Sequence, residues 1–383
     1  MLVSSKKKNI SVLIPDGESH LLLYIVNCLS QEKDIDIYVM SSNKHNPMRY
    51  SRYIKGFSYY VQTHSDLDWI EHINTEVEKH NIDVIMPIFE TRIKTLIQLQ
   101  SKIKEQDKIG LLPSLTDYKT AFNKNQLTKH LKGNKLPFAK SVTVTAIEDL
   151  EKIENLDFPV IIKPIEGFGG GQGIFKFDTI RDLKKHFNKA EFKYENIIQE
   201  YIEGYDIDCS VLCRNGEILA HTIQKGNMMG ANQFSPQFGL EFLYEEELYK
   251  VIKKLMKSLN WSGVAHIDMR YDNHTNQFKA IEVNTRFWVS VEASLLAGVN
   301  FPYLYCLSSL GQEFNKPEYE CVKYLSLKGL IKKIKQEKLF VFNIKFMRNN
   351  TALKFIFTDP IPTAYKFIWR TKNILISRFR KLF

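Results

Sequence analysis

Gly263-Val264-Ala265-His266-Ile267-Asp268-Met269-Arg270-Tyr271, and beyond a turn Phe278-Lys279-Ala280-Ile281-Glu282-Val283-Asn284-Thr285-Arg286, alternate polar and apolar residues with a period of two. That period is the mark of half-buried strands. It places His266, Asp268 and Arg270 on one face, with Ala265, Ile267 and Met269 on the other. In the second run Glu282 and Asn284 share a face, opposite Ile281 and Val283. Asp272-Asn273-His274-Thr275-Asn276 supplies turn residues, so the two runs read as a hairpin. If both acidic faces look the same way, paired residue numbers must have an even sum, as in Asp268 with Glu282 and His266 with Asn284. Carboxylates directly opposed across strands repel by roughly 0.2–1 kcal/mol unless a cation lies between them. Two carboxylates and an amide oxygen are hard ligands, suited to magnesium completed by water and phosphate oxygens rather than to zinc. The plainer alternative is a solvated sheet face on which Arg270 and Arg286 neutralise the acids.

Upstream, Pro159-Val160-Ile161-Ile162-Lys163 reads as a strand ending in a lysine, followed by Gly167-Phe168-Gly169-Gly170-Gly171-Gln172-Gly173. Glycines at 167, 169, 170 and 171 let backbone N–H groups approach phosphate oxygens, and Lys163 supplies a point charge beside them. No GK[ST] closes the run, so it is not a Walker A loop. A flexible glycine hairpin with a solvated lysine is the alternative. Between these elements, Ile197 to Asp208 begins as a strand, crosses Gly204 and resumes with alternating acids. Such a crossover can hold a purine edge by backbone groups, with Tyr201 and Ile202 as apolar contacts and Asp206 as a ribose acceptor. A plain strand-turn-strand edge with an acidic face competes with that reading.

Toward the N-terminus, the strand Ile10–Pro15, the helical pattern Leu21–Ser30 and the strand Ile35–Met40 make a β-α-β start. A helix over Asp66–His80 and a strand over Ile82–Met86 continue it. The turn Pro15-Asp16-Gly17-Glu18-Ser19 lacks GxGxxG and gives no dinucleotide signature. Leu111-Leu112-Pro113-Ser114 reads as a boundary, after which Thr116–Leu131 has helical character with Asn123-Lys124-Asn125 inside it.

In chain order, Lys124, Lys163 with its glycine turn, Gln199 to Asp206, Asp268 and Glu282-x-Asn284-x-Arg286 resemble the ATP-grasp superfamily, especially its carboxylate-amine ligases, over roughly 116–310. The resemblance implies an α/β chain, α+β in its catalytic part: a Rossmann-like parallel sheet (1–112), then a two-lobed ATP-grasp fold. The lobes would be a small one with the glycine flap (113–195) and a core with the Mg-ATP site (196–312), followed by a C-terminal extension (313–383). It further implies ATP held by Lys124, Lys163, Gly167, Gly169, Gly170, Gly171, Gln199, Glu200, Tyr201, Ile202 and Asp206, with Lys225 facing phosphate. Magnesium, or manganese, would sit on Asp268, Glu282 and Asn284, and Arg286, Lys163 and His266 would serve the chemistry. Thr285 stands where the family usually has proline, and His266 where D-alanine ligase-like members carry arginine. The implied reaction phosphorylates a small-molecule carboxylate and condenses the acyl phosphate with an amine. A bicarbonate-activating enzyme and a non-catalytic nucleotide-binding protein remain the alternatives. Gly226–Gly239 reads as a substrate loop or a loop without a role.

With 383 residues, 44% hydrophobic and 25% charged, the composition is that of a globular protein of two or three domains. Five cysteines without a CxxC pair fit a reducing compartment, and neither a signal peptide nor an 18-residue apolar span is evident, so the expected location is cytoplasmic. The net charge of +10 does not choose among polyanionic partners. No nucleic-acid recognition fold is read, and a homodimer is compatible with the rest. The basic, aromatic tail 365–383 reads either as an interfacial helix on the cytoplasmic membrane face or as a terminal helix packed on the core.

Overall fold

The computed structural model describes residues 9–153, 156–165, 173–189, 195–231, 234–366 and 368–369. It is a mixed α/β structure that falls into two compact units, residues 1–112 with 286–318 and 337–383, and residues 113–285 with 319–336.

In the first unit the apolar runs of the N-terminal segment become parallel strands. β1 (Ile10–Ile14), β2 (Ile35–Ser41), β3 (Ile54–Tyr59) and β4 (Val84–Ile85) lie in the order β3-β2-β1-β4. β1 is buried along its length, as a central parallel strand covered on both faces must be. The helix Asp66–His80 has the expected bounds and turns Trp69, Ile70 and Ile73 into a core with Leu13, Ile85 and Leu96. The strand expected over Ile82–Met86 pairs only at Val84 and Ile85, and β3 has no counterpart in the sequence reading. Its half-buried residues give it no clean alternation.

The turn after β1 is locked from inside. A side chain at Gly17 would meet Val39 Cγ1 at 2.4 Å and the Met40 carbonyl oxygen at 2.6 Å, so only glycine fits there. Asp16, 1% exposed, accepts hydrogen bonds from the N–H groups of Ile88 and Phe89, the latter at 2.8 Å. Those amides enter the helix Glu90–Leu99, and the carboxyl satisfies donors that the helix itself leaves open. At the other end of the unit, Tyr365 lies 4.8 Å from Tyr50 and Trp369 stacks 4.6 Å from His45. The start of the aromatic tail thus packs on its own unit; residues 370–383 lie outside the described residues.

The second unit contains two antiparallel sheets. The smaller runs β5-β8-β6-β7, built from β5 (Ser141–Val144), β6 (Val160–Pro164), β7 (Phe175–Phe177) and β8 (Asn196–Glu200). The larger runs β13-β12-β9-β10-β11-β14, from β9 (Gly204–Arg214), β10 (Glu217–Met228), β11 (Gly239–Phe242), β12 (Gly263–Asp272), β13 (Gln277–Asn284) and β14 (Lys323–Leu325). The chain passes from one sheet to the other between Glu200 and Gly204, the crossover seen in the sequence.

Two local readings change. The helical stretch expected over Thr116–Leu131 is two helices, Leu115–Phe122 and Lys124–Gly133. Asn123 ends the first and caps the second, its side chain accepting from the N–H groups of Asn125 and Gln126. Gly226 to Met228 belong to β10, so the expected loop begins after Met228, and its Asn232 and Gln233 lie outside the described residues.

Candidate active site

The hairpin β12–β13 has the register that parity requires, His266 opposite Asn284 and Asp268 opposite Glu282. Beyond Asp268 the pairing shifts, and Met269 meets Ala280. Ile281 is therefore the extra residue of a β-bulge, which bends the strand and re-aims the side chains beyond it. The simple alternation breaks at this bulge, so residues on its N-terminal side take the other parity. One consequence is that Lys279, opposite Arg270, joins the acid face.

On the other side of β12, β9 places Asp208 opposite Asp268, Ser210 opposite His266 and Asp206 opposite Arg270. The sequence does not single out Asp208, although its alternation with Asp206 is visible there. The two central acids thus face each other across neighbouring strands, and Glu282 faces Asp268 from the third. Burial first, and then the nearby Asp268 charge, push Asp208 well above the ordinary carboxylate range. Ligand atoms of Asp208, His266 and Asp268 lie within 4.8 Å of one another.

Cations from other elements converge on the same acids. Lys124, at the first position of its helix, lies 3.2 Å from Glu282 Oε2. Lys163 on β6 is 6% exposed, and burial pulls it down to about 8, against the attraction of Glu282 and Asp268. Asn284 Nδ2 donates to Asp268 Oδ1 at 3.2 Å. His266 accepts or donates at Nδ1 with Ser210 Oγ at 2.9 Å, and its Nε2 is 3.5 Å from Asp268 Oδ1.

The crossover is organised by Arg270, which the sequence suggests only as a counter-charge to Asp268 and Glu282. Its guanidinium donates to the Ile202 carbonyl at 2.6 Å, to the Gly204 carbonyl at 3.1 Å and to Asp206. Asp206, read as a ribose acceptor, is in this structure held by that arginine. Glu200 pairs with Lys279 at 3.0 Å, and its amide donates to the Lys140 carbonyl. Gln199 Oε1 is a buried acceptor with no donor among the described residues. The Tyr201 ring takes Lys176 Nζ at 4.5 Å from its centroid, so its face is not simply apolar.

Lys225 pairs in register with Ile207, which puts it on the sheet face opposite Asp206 and Asp208, and its Nζ sits 3.4 Å over the Tyr205 ring. Arg286 belongs to the first unit, where it pairs with Glu90 and donates to the Phe287 carbonyl. Gly167, Gly169, Gly170 and Gly171 lie outside the described residues.

Comparisons with known proteins bear on this part of the chain. The model of the ATP-grasp domain family matches residues 121–290. D-alanine–D-alanine ligase B of Clostridium perfringens is 31% identical over 175 residues, 43% of this chain and 57% of that protein. Carbamoyl-phosphate synthase of Methanobrevibacter smithii is 29% identical over 151 residues, 37% of this chain and 40% of that protein. The matched segments thus span about half the length of these curated relatives. Among solved structures, N5-carboxyaminoimidazole synthetase from Staphylococcus aureus complexed with ADP has a TM-score of 0.65 at 19% identity, covering 82% of this chain and 80% of that one. The paired acids and the convergent lysines lie inside the stretch, residues 121–290, that the ATP-grasp domain model matches, and over that stretch the chain is similar to ATP-grasp proteins.

Proposed function

We propose that the protein is an ATP-dependent ligase that phosphorylates a small-molecule carboxylate and condenses the acyl phosphate with an amine, releasing ADP and phosphate. The observation that carries this reading is the facing of Asp268 and Glu282 across β12 and β13, with Lys124 and Lys163 directed at the same acids.

The residues fit a magnesium nucleotide. Asp268, Glu282 and the Asn284 amide oxygen offer hard donors, and the facing of Asp268 and Glu282, with Asp208 alongside, suits a cation. Magnesium there would neutralise phosphate charge as it builds up during transfer. Gln199 Oε1 fits the exocyclic amine of a purine, because it is a buried acceptor with no donor among the described residues. Lys163, desolvated by burial, gains a partner when phosphate binds; the ammonium is then held in a water-poor site where its charge counts most. Lys124 exchanges its Glu282 contact for phosphate, which frees the carboxylate for the metal. The carboxylate oxygen of the substrate attacks the γ-phosphorus and ADP leaves. The amine then adds to the acyl carbon and phosphate departs. Catalysis by the chain is positioning and charge.

The test is ADP release over a panel of carboxylates, each with and without a panel of amines, and with bicarbonate as a separate acceptor. Stimulation by a carboxylate–amine pair supports the ligase. Stimulation by bicarbonate alone would transfer the reading to a carboxylating enzyme, and Mg-ATP binding without any stimulated release would leave a nucleotide-binding protein.

No helix among the described residues is long and apolar enough to cross a membrane. A peripheral contact through residues 365–383 remains part of the proposal. It is supported by exposed Leu339 (80%), Phe342 (76%) and Ile344 (64%) between Lys338 and Lys345, a second basic and apolar surface on the C-terminal segment. Flotation with vesicles containing phosphatidylserine, compared with neutral vesicles, checks it; equal recovery from both would remove it.

A further inference from the structure

A line of buried hydrogen bonds crosses three strands of the large sheet and ends at His266. On β10, the Thr222 hydroxyl donates to Gln224 Oε1 at 3.3 Å. That leaves Gln224 Nε2 to donate to Ser210 Oγ on β9 at 3.1 Å. Ser210 Oγ in turn lies 2.9 Å from His266 Nδ1 on β12. Thr222, Gln224 and Ser210 are at most 1% exposed, so water does not compete for these bonds.

The direction of the line follows from what each group can do. An amide NH2 only donates, so it occupies a lone pair of the serine oxygen. Of the two groups that Ser210 Oγ meets, only Nδ1 can accept, so the single hydroxyl hydrogen of Ser210 goes to Nδ1. A neutral imidazole that accepts at Nδ1 carries its proton on Nε2. That Nε2 lies 3.5 Å from Asp268 Oδ1 and 3.9 Å from Asp208 Oδ2.

Building on the magnesium-nucleotide reading of this sheet face, we propose that Thr222, Gln224 and Ser210 are positioning residues that hold His266 as its Nε2–H tautomer, a donor to the Asp208–Asp268 pair and not a metal ligand. A nitrogen that bears hydrogen has no lone pair for a cation. The triad of Asp208, His266 and Asp268 has the spacing of a mixed nitrogen–oxygen site, and the relay turns it into an all-oxygen one. Such a site favours magnesium or manganese and disfavours zinc. A neutral donor also eases the repulsion between the two carboxylates without adding a positive charge that would compete with the metal.

The experiment is a long-range proton–nitrogen correlation spectrum of the full chain labelled in its histidines, free of metal and nucleotide, with His266 assigned by its loss in His266→Gln. The Nε2–H pattern is expected. Ser210→Ala should release the lock, giving a mixed or Nδ1–H pattern and about tenfold weaker binding of manganese alone; Ser210→Thr, which keeps the hydroxyl, should restore both. Gln224→Glu should reverse the line, because a carboxylate takes the serine hydrogen and leaves Nδ1 to donate. An Nδ1–H pattern in the unaltered protein overturns the proposal, as does a tautomer that ignores Ser210→Ala. Direct coordination of His266 by added manganese, seen as broadening confined to a deprotonated Nε2, also overturns it. If the unaltered protein shows the Nε2–H pattern yet neither binds Mg-ATP nor releases ADP, the lock stands and the ligase reading falls.

Discussion

Both units bury carboxyl groups, and they treat them in opposite ways. In the first, Asp16 is met by two backbone N–H groups and Glu292 by the Asn27 side-chain amide, and burial pushes each up to about 8. Neither faces another acid across a strand pair, and each has donors of its own, so each serves the scaffold. In the second, Asp208, Asp268 and Glu282 are lined up across three adjacent strands. Lysines reach them, but the acids also face one another, an arrangement that folding alone would not favour. Burial of an acid is thus a poor guide to function, whereas the facing of acids is a good one.

The comparison breaks first at Glu282. Glu282→Gln keeps the shape of the hairpin and removes one of the facing charges. Turnover should fall about a thousandfold, while the melting temperature stays level or rises. ADP release beside thermal unfolding by circular dichroism measures both, and retained activity at low magnesium would sink the metal-ligand assignment.

Next comes the pH dependence that a buried scaffold acid imposes. The folded value of Glu292, about 8, lies above its ordinary 4.5, so the folded state holds a proton that the unfolded chain releases. The stability it carries is fully present below about 4.5 and is lost as the pH rises through about 8. Urea unfolding of the first unit should therefore weaken between roughly pH 5 and 8, by up to about 4 kcal/mol from Glu292 and about as much from Asp16, and Glu292→Gln should remove about half of the slope. An unchanged slope in the variant would show that another group carries it.

A smaller effect is expected at Asp16. Asp16→Ala leaves the Ile88 and Phe89 amides unsatisfied and should cost about 1–3 kcal/mol in urea unfolding, with turnover per folded molecule unchanged. A fall in turnover of the folded fraction would blur the distinction between scaffold acids and facing acids.

The smallest effect tests the distinction inside the second unit. Asp206 lies on the same face as Asp208, yet it is tied to Arg270 and so resembles the scaffold acids. Asp206→Asn should raise the KM for ATP by no more than about tenfold and leave kcat nearly constant, since it loosens the crossover without touching the facing pair. A kcat collapse like that of Glu282→Gln would place Asp206 among the facing acids.

Much of the facing pair and of the first sheet is legible in the chain itself. Alternation and the short turn between the strands together put Asp268 opposite Glu282, because a strand repeat of two admits few registers once both polar faces must coincide. The β-α-β start is equally plain, since its strands are short apolar runs punctuated by Pro15 and Asp16. The failures have physical causes. The bulge at Ile281 inserts one residue and leaves no mark in the apolar pattern, so alternation gives no sign that Lys279 joins the acid face. Asn123 acts both as an end and as a cap, and a periodic pattern runs through it. Lys225 is a lysine near the nucleotide motifs in sequence, but strand parity turns it to the other side of the sheet.

The sequence by itself determined the chemistry available: which acids share a strand face, which lysine precedes the glycine run, and the order of motifs that marks an ATP-grasp domain. Those are local properties, set by the repeat of the backbone. Only the tertiary structure decided the partners of those groups, because adjacency of β9 and β12 joins residues that lie far apart along the chain. That pairing brought Asp208 against Asp268, gave Asp206 to Arg270, and ran a line of buried hydrogen bonds from Thr222 to His266. Sheet order is a long-range choice made by burial of whole strand faces, and no short stretch of sequence contains it.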